Sequence, residues 1–236
     1  MNVQSNTYTF LYSAIMIIIV ALGLSVTSIS LKSRQEANIE LEKKQNILAS
    51  FGIECSREQS ENLYSKYIKD AFALNYEGDL IDSVDGFNVD LEKEMAKPVE
   101  DRQYAVFKAE KDGETIYIFP VRGKGLWGPI WGYVALKDDF NTIYGVTFDH
   151  KGETPGLGAE ITTKEFQSRF VGKKIFDDMD NFTSVLVLKA GKADPNDPHA
   201  VDGLSGATLT SNGLSNMLHD SLKAYENYFN KNMKNK

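Results

Sequence analysis

Residues 104–148, YAVFKAEKDGETIYIFPVRGKGLWGPIWGYVALKDDFNTIYGVTF, decide the fold. Four short β-prone runs lie within them, at 104–107, 115–121, 130–136 and 142–148, and Lys111-Asp112-Gly113 and Lys137-Asp138-Asp139 supply turn residues between runs. The pattern predicts consecutive antiparallel strands. Its centre contains a literal G-x-G-x-x-G, Gly123-Lys124-Gly125-Leu126-Trp127-Gly128, which invites a nicotinamide-binding reading. A dinucleotide fingerprint must open a helix, whereas Pro129-Ile130-Trp131-Gly132 runs on as strand, so the context fails.

Downstream, a short helix is expected at 164–170, introduced by Thr162 and Glu165 in capping-box spacing, and a strand at 183–189. Leu214, Met217, Leu218, Leu222, Tyr225 and Phe229 then repeat at helical spacing to near the end. Upstream, residues 79–97 are acidic and weakly patterned, which predicts irregular structure. A helix is expected at 61–74, where Leu63, Tyr67, Ile68 and Phe72 line one face. Residues 33–50, rich in Glu, Lys, Gln and Leu, read as a helical stalk that Gly52 stops. The plan is α+β, with no internal repeat.

Residues 1–31 carry no charged side chain, and 8–31 would span about 36 Å as a helix, enough to cross a bilayer. A cleaved signal peptide lacks support: the basic n-region is missing, the apolar run is too long, and no clear small-x-small site follows. One N-terminal transmembrane helix is therefore expected. Lys32 and Arg34 follow the span and no Lys or Arg precedes it, which by the positive-inside tendency puts the rest of the chain in the cytoplasm. With 26 Lys+Arg against 33 Asp+Glu the net charge is -7, which speaks against sequence-independent binding of nucleic acid. The single cysteine, Cys55, excludes an internal disulfide and any thiolate cage built by this chain alone. Redox chemistry would need an organic cofactor.

The sharpest chemical signal is Asp202-Gly203-Leu204-Ser205-Gly206-Ala207-Thr208-Leu209-Thr210-Ser211, at the start of the last helix. Ser205, Gly206 and Ala207 are small enough for a bulky group to approach the backbone, and a helix start offers amide donors to a phosphate. From the residues alone, a Ser or Thr here is a helix N-cap. The segment resembles the flavinylation motif Asp-x-x-Ser/Thr-Gly-Ala-Thr/Ser of the FMN-binding domain family. That resemblance implies that Thr208 is esterified to the phosphate of one covalent FMN, with Ser205, Gly206 and Ala207 at the motif's centre. His150-Lys151-Gly152-Glu153-Thr154-Pro155-Gly156-Leu157-Gly158 resembles the same family's Glu-Thr-Pro-Gly-Leu-Gly loop, which lies against the flavin. It implies that Glu153, Thr154, Gly156 and Leu157 bind the cofactor. Lys189, in Val-Leu-Lys-Ala-Gly, resembles a family lysine able to stabilise phosphate or reduced flavin; a solvated strand end is the alternative. Trp127, Trp131 and Tyr133 belong either near the flavin or in the core. His150, His199 and His219 are scattered, giving a metal or a hydrolytic triad little support.

Across nearly its whole length the chain resembles the C subunit family of sodium-translocating NADH:quinone oxidoreductases. The resemblance implies an anchor at 1–31, a helical stalk and irregular segment at 32–100, and an FMN-binding domain at 101–236. It implies an electron-relay subunit, inactive alone, passing electrons from an iron–sulfur subunit to a second FMN subunit. NADH binding and sodium conduction would sit on partner subunits. It also implies a flavin transferase that uses FAD outside the cytoplasmic membrane, and so a mainly antiparallel extracytoplasmic domain on the outer, periplasmic face of the inner membrane, against the charge bias. Two rivals are the G subunit of an Rnf-type ferredoxin:NAD oxidoreductase, which shares both motifs, and a non-redox membrane-tethered sensor in which Thr208 only caps a helix.

Overall fold

A computed structural model describes residues 5–233. They form two compact units divided after Lys43. Helix α1 runs unbroken from Asn6–Ser50. In the first unit its apolar stretch is long enough to cross a membrane and none of it is buried; Phe10, Ile17, Ile19, Leu24 and Ile29 all stand exposed. Exposed apolar side chains all round a helix suit a lipid surrounding.

The second unit is built on a six-stranded antiparallel sheet, in the order β2-β1-β3-β4-β5-β6. Its strands are β1 (Ile68–Leu74), β2 (Leu80–Asp85), β3 (Tyr104–Lys111), β4 (Glu114–Lys124), β5 (Pro129–Lys137) and β6 (Ile143–His150). The four runs of the opening segment are thus β3 to β6, each a little longer than its apolar pattern. The G-x-G-x-x-G is the β4–β5 hairpin, closed by Gly125 N–H donating to the Gly128 carbonyl at 2.8 Å.

Alternation along the strands buries both faces. One face carries Val106, Phe119, Val121 and Val134, covered by α5 (Thr208–Lys223) and α6 (Glu226–Met233). The other carries Phe107, Ile116, Ile118 and Ala135 beneath Ile47, Leu48 and Phe51, the last turn of α1 and the residue after it. Gly52 does stop this helix: at φ +79 its N–H reaches the Ala49 carbonyl at 2.9 Å while Ile53 N–H returns to Leu48 at 3.0 Å, a left-handed C-terminal cap.

Several local expectations change. The helix expected at 61–74 is α2, Arg57–Tyr67, and from Ile68 the chain becomes strand β1. Ile68, Ala71 and Phe72 satisfy either period, and pairing with β3, Ala71 opposite Phe107, decides for the sheet. Residues 79–97 are ordered rather than irregular. An Asn75–Asp79 turn, with Gly78 at φ +80, leads into edge strand β2, and Asp90 caps a short helix α3 (Leu91–Met95) by accepting from Glu92 and Lys93 amides. Helix α4 (Lys164–Ser168) is capped by Thr163, not Thr162, whose hydroxyl donates to the Ala159 carbonyl. Glu165 pairs forward with Arg169 at 3.3 Å instead of reaching back.

Of the strand expected at 183–189 only β7 (Leu186–Leu188) forms, parallel to β8 (Ala200–Asp202). The single C-terminal helix is two. The break at Ala224–Tyr225 turns Tyr225 inward, where its hydroxyl donates to the Ala105 carbonyl at 3.0 Å. The α+β class, the apolar N-terminal helix and the mainly antiparallel sheet with flanking helices are as expected.

Candidate functional site

Three segments distant in sequence meet where α5 begins: the β4–β5 hairpin tip at 125–128, the loop at 150–158 after β6, and the small-residue turn at 203–208. Glu153 joins them. Its side chain is 4% exposed; Oε1 accepts the Trp127 amide at 2.8 Å and Oε2 accepts the Thr210 hydroxyl at 2.5 Å. Its own amide donates to His150 Nδ1 at 3.1 Å. Glycines leave room for this carboxylate. A Cβ on Gly125 would lie 2.6 Å from Oε1, and one on Gly158 would lie 2.5 Å from Oε2 and 2.6 Å from Thr210 Oγ1.

Two more glycines let α5 lie close on β4. A Cβ on Gly123 would be 2.6 Å from the Met217 Cβ, and one on Gly213 would overlap the Lys124 carbonyl oxygen. Two of the three glycines that mimic a dinucleotide motif, Gly123 and Gly125, thus serve close packing of a helix and a carboxylate.

The four hydroxyls of the motif divide by use. Thr210 donates to Glu153, and Ser211 Oγ accepts the Leu204 amide at 3.3 Å. Ser205 and Thr208 are exposed, and among the described residues their hydroxyls have no hydrogen-bond partner. Thr208 does not cap the helix. The N-cap is Ala207, without a side-chain bond, and Thr208 is the first helical residue. The Thr208 hydroxyl therefore stands free at a helix start whose first amides no side chain caps, which suits a phosphate. Gly206, at φ +75, makes the turn into it.

The surroundings also suit a planar apolar group. Leu126, Trp127, Leu157 and Leu209 are 45%, 69%, 40% and 61% exposed around this point. Leu157 lies directly on Gly206, where a Cβ would meet its Cδ2 at 2.8 Å. The loop is held by Leu157 and Ala159 amides donating to the Thr154 carbonyl, both at 3.1 Å, and by Gly156, at φ +75, donating to Glu160 Oε1 at 3.0 Å.

The structure thus brings together Ser205, Gly206, Ala207, Thr208, Glu153, Thr154, Gly156 and Leu157. Glu153 faces inward with both carboxylate oxygens bound to protein; Thr154 is exposed. Lys189 is exposed just past β7, beside Leu188, whose carbonyl accepts the Gly203 amide at 2.7 Å. Asp202 turns its carboxylate to the loop after β7, accepting the Lys192 and Ala193 amides at 2.9 Å. These amides, Ala193 first, hold its carboxyl below the ordinary range. Trp127 lies at the hairpin tip with its amide on Glu153 and its side chain exposed. Trp131 shares the sheet face of Tyr133, away from α5, with the Arg122 guanidinium over its ring at 6.0 Å. Sequence reasoning passed over Thr210, although its spacing of four from buried Leu214 marks it as inward-facing.

An FMN-binding domain family matches residues 125–223, which contain both motifs. The crystal structure of a Na(+)-translocating NADH-quinone reductase C subunit from Parabacteroides distasonis superposes with a TM-score of 0.78 at 43% identity, covering 84% of this chain and 96% of that one. The corresponding C subunit of Vibrio vulnificus is 33% identical over 81% of this chain and 80% of its own length. That of Pseudomonas aeruginosa is 32% identical over 92% of both. With this identity and coverage, and with its FMN-binding domain, the chain belongs to the family of Na(+)-translocating NADH-quinone reductase C subunits.

Proposed function

We propose that this chain is the electron-relay subunit of a sodium-pumping NADH:quinone reductase and carries one FMN as a phosphoester on Thr208. FMN, when bound, supplies one-electron redox chemistry that no side chain of this protein offers. The observation that carries the reading is the Thr208 hydroxyl, free and exposed at an uncapped helix start. In this reading Thr208 forms its Oγ–P bond as a flavin transferase breaks the pyrophosphate of FAD, with AMP and the hydroxyl proton leaving. The first amides of α5 would hold the phosphate, and Lys189 would contribute positive charge to it. Leu157, Trp127, Leu126 and Leu209 would shield the ring system from water, and Thr154 and Gly156 would shape the loop that binds it. The phosphoester keeps the cofactor in place between electron transfers.

The donor is an iron–sulfur subunit and the acceptor a second FMN subunit of the complex. Residues 1–31 anchor the chain in lipid of the inner membrane, and the domain at 101–236 lies on the outer face, where the flavin transferase acts. Denaturing electrophoresis of the chain from its native host, read by in-gel flavin fluorescence, tests the tether. A fluorescent band lost in Thr208→Ala supports it; a dark wild-type band refutes it. A C-terminal reporter active only in the cytoplasm would refute the orientation.

A further inference from the structure

The attachment hydroxyl and the buried carboxylate do not touch, yet one residue links them. We propose that Thr210 is a positioning residue for Thr208: its hydroxyl, donated to Glu153 Oε2 at 2.5 Å, sets the rotation of the first turn of α5 and so aims Thr208 outward. This rests on Thr208 as the attachment point.

Residues two apart on a helix point about 200° apart. With Thr210 buried at 1% exposure against Glu153, Thr208 must face out. Ala207 provides no side-chain cap, so at the first turn the Thr210 hydroxyl and the Ser211–Leu204 bond are the side-chain ties to the rest of the domain. The tie is also anchored at its far end. Glu153 is held by the Trp127 amide as well, so the helix start, the 150–158 loop and the hairpin tip share one carboxylate. A Cβ at Gly158 would intrude on both partners, so the absence of a side chain there preserves the pair. Within the motif the hydroxyls therefore have separate tasks: Thr210 orients, Ser211 holds the preceding turn, and Thr208 stays free.

The test uses the full-length chain expressed in its host, with FMN occupancy read as in-gel fluorescence per unit protein early after induction. The label is mapped by peptide mass. Thr210→Val keeps the shape and removes the hydroxyl; Thr210→Ser keeps the hydroxyl. Loss of a hydrogen bond to a charged group predicts occupancy about tenfold lower in Thr210→Val, with restoration towards wild type in Thr210→Ser. Tyr225→Phe, which removes a buried hydroxyl far along the same helical region, is the stability control. Wild-type occupancy in Thr210→Val overturns the proposal. So does an equal loss in Tyr225→Phe at matched thermal stability, which would make the effect one of general folding. Fluorescence that survives Thr208→Ala overturns the attachment reading itself, and this inference with it.

Discussion

Replacing Gly213 by Ala sets two effects of opposite sign against each other. In an open helix the change stabilises by about 1 kcal/mol, because Ala has the better helix propensity. Here the new Cβ would overlap the Lys124 carbonyl oxygen and lie 3.2 Å from its carbon and 3.3 Å from the Gly125 Cα. These are backbone atoms of β4 and its turn, and β4 is fixed between β3 and β5. The helix must therefore move, by a distance on the order of 1 Å to restore ordinary contact. A shift of that size would stretch the 2.5 Å Thr210–Glu153 bond out of range.

Overpacking costs about 1–3 kcal/mol and a lost bond to a charged acceptor about 1.5–3. Set against the propensity gain, the net is a destabilisation of about 1.5–5 kcal/mol. For a unit of this size that lowers the melting temperature by roughly 3–20 °C. Thermal unfolding of the full-length chain in detergent, followed by near-ultraviolet circular dichroism, reads it out. Gly152→Ala, with nothing within 4 Å of the new Cβ, is the control and should fall within about 0.5 kcal/mol of wild type. If Gly213→Ala is the more stable protein, the close approach of α5 to β4 is not what these glycines provide.

Tyr225→Phe leaves the buried Ala105 carbonyl without its 3.0 Å partner and should cost about 1–2 kcal/mol in urea unfolding; an unchanged midpoint would show that the bond contributes nothing. Asp202 makes one segment sensitive to acid. Its carboxyl lies below 3.8 when folded, so the stabilisation is complete above the unfolded value of about 3.9 and is lost as pH falls through the folded one. NMR shifts of the Lys192 and Ala193 amides should report a transition below the ordinary carboxylate range, absent in Asp202→Asn. A midpoint within or above the ordinary carboxylate range would contradict the bonding described.

The segment 104–148 was legible because its four strands are short β-prone runs, buried on both faces, and the turns between them carry Asp or Gly. The region before it was not. Ile68–Leu74 fits helix and strand alike, and its partner, β3, is far enough away in sequence that only tertiary pairing decides. Acidic β2 lies at a sheet edge, so it shows no apolar alternation, and charge at an edge also guards against unwanted pairing. The site's two motifs were readable as motifs. The inward turn of Glu153 was not, since a polar side chain in a Pro/Gly loop gives no sign of being buried. The split between α5 and α6 was equally hidden, because Tyr225 continues the helical period that it interrupts.

The bonds that complete the domain also impose an order in time. Thr210–Glu153 spans 57 residues, Arg122–Ser221 spans 99 and Tyr225–Ala105 spans 120. Each joins an early strand or loop to α5 or to the break before α6, which leave the ribosome after the whole sheet. Until then one sheet face, with Phe119, Val121 and Val134, lacks its cover, and such long-range closure makes folding slow. A partly made or partly folded chain can expose Thr208 but cannot aim it. On the proposed attachment at Thr208, a transferase that needs the aimed hydroxyl acts only after α5 has docked on the sheet.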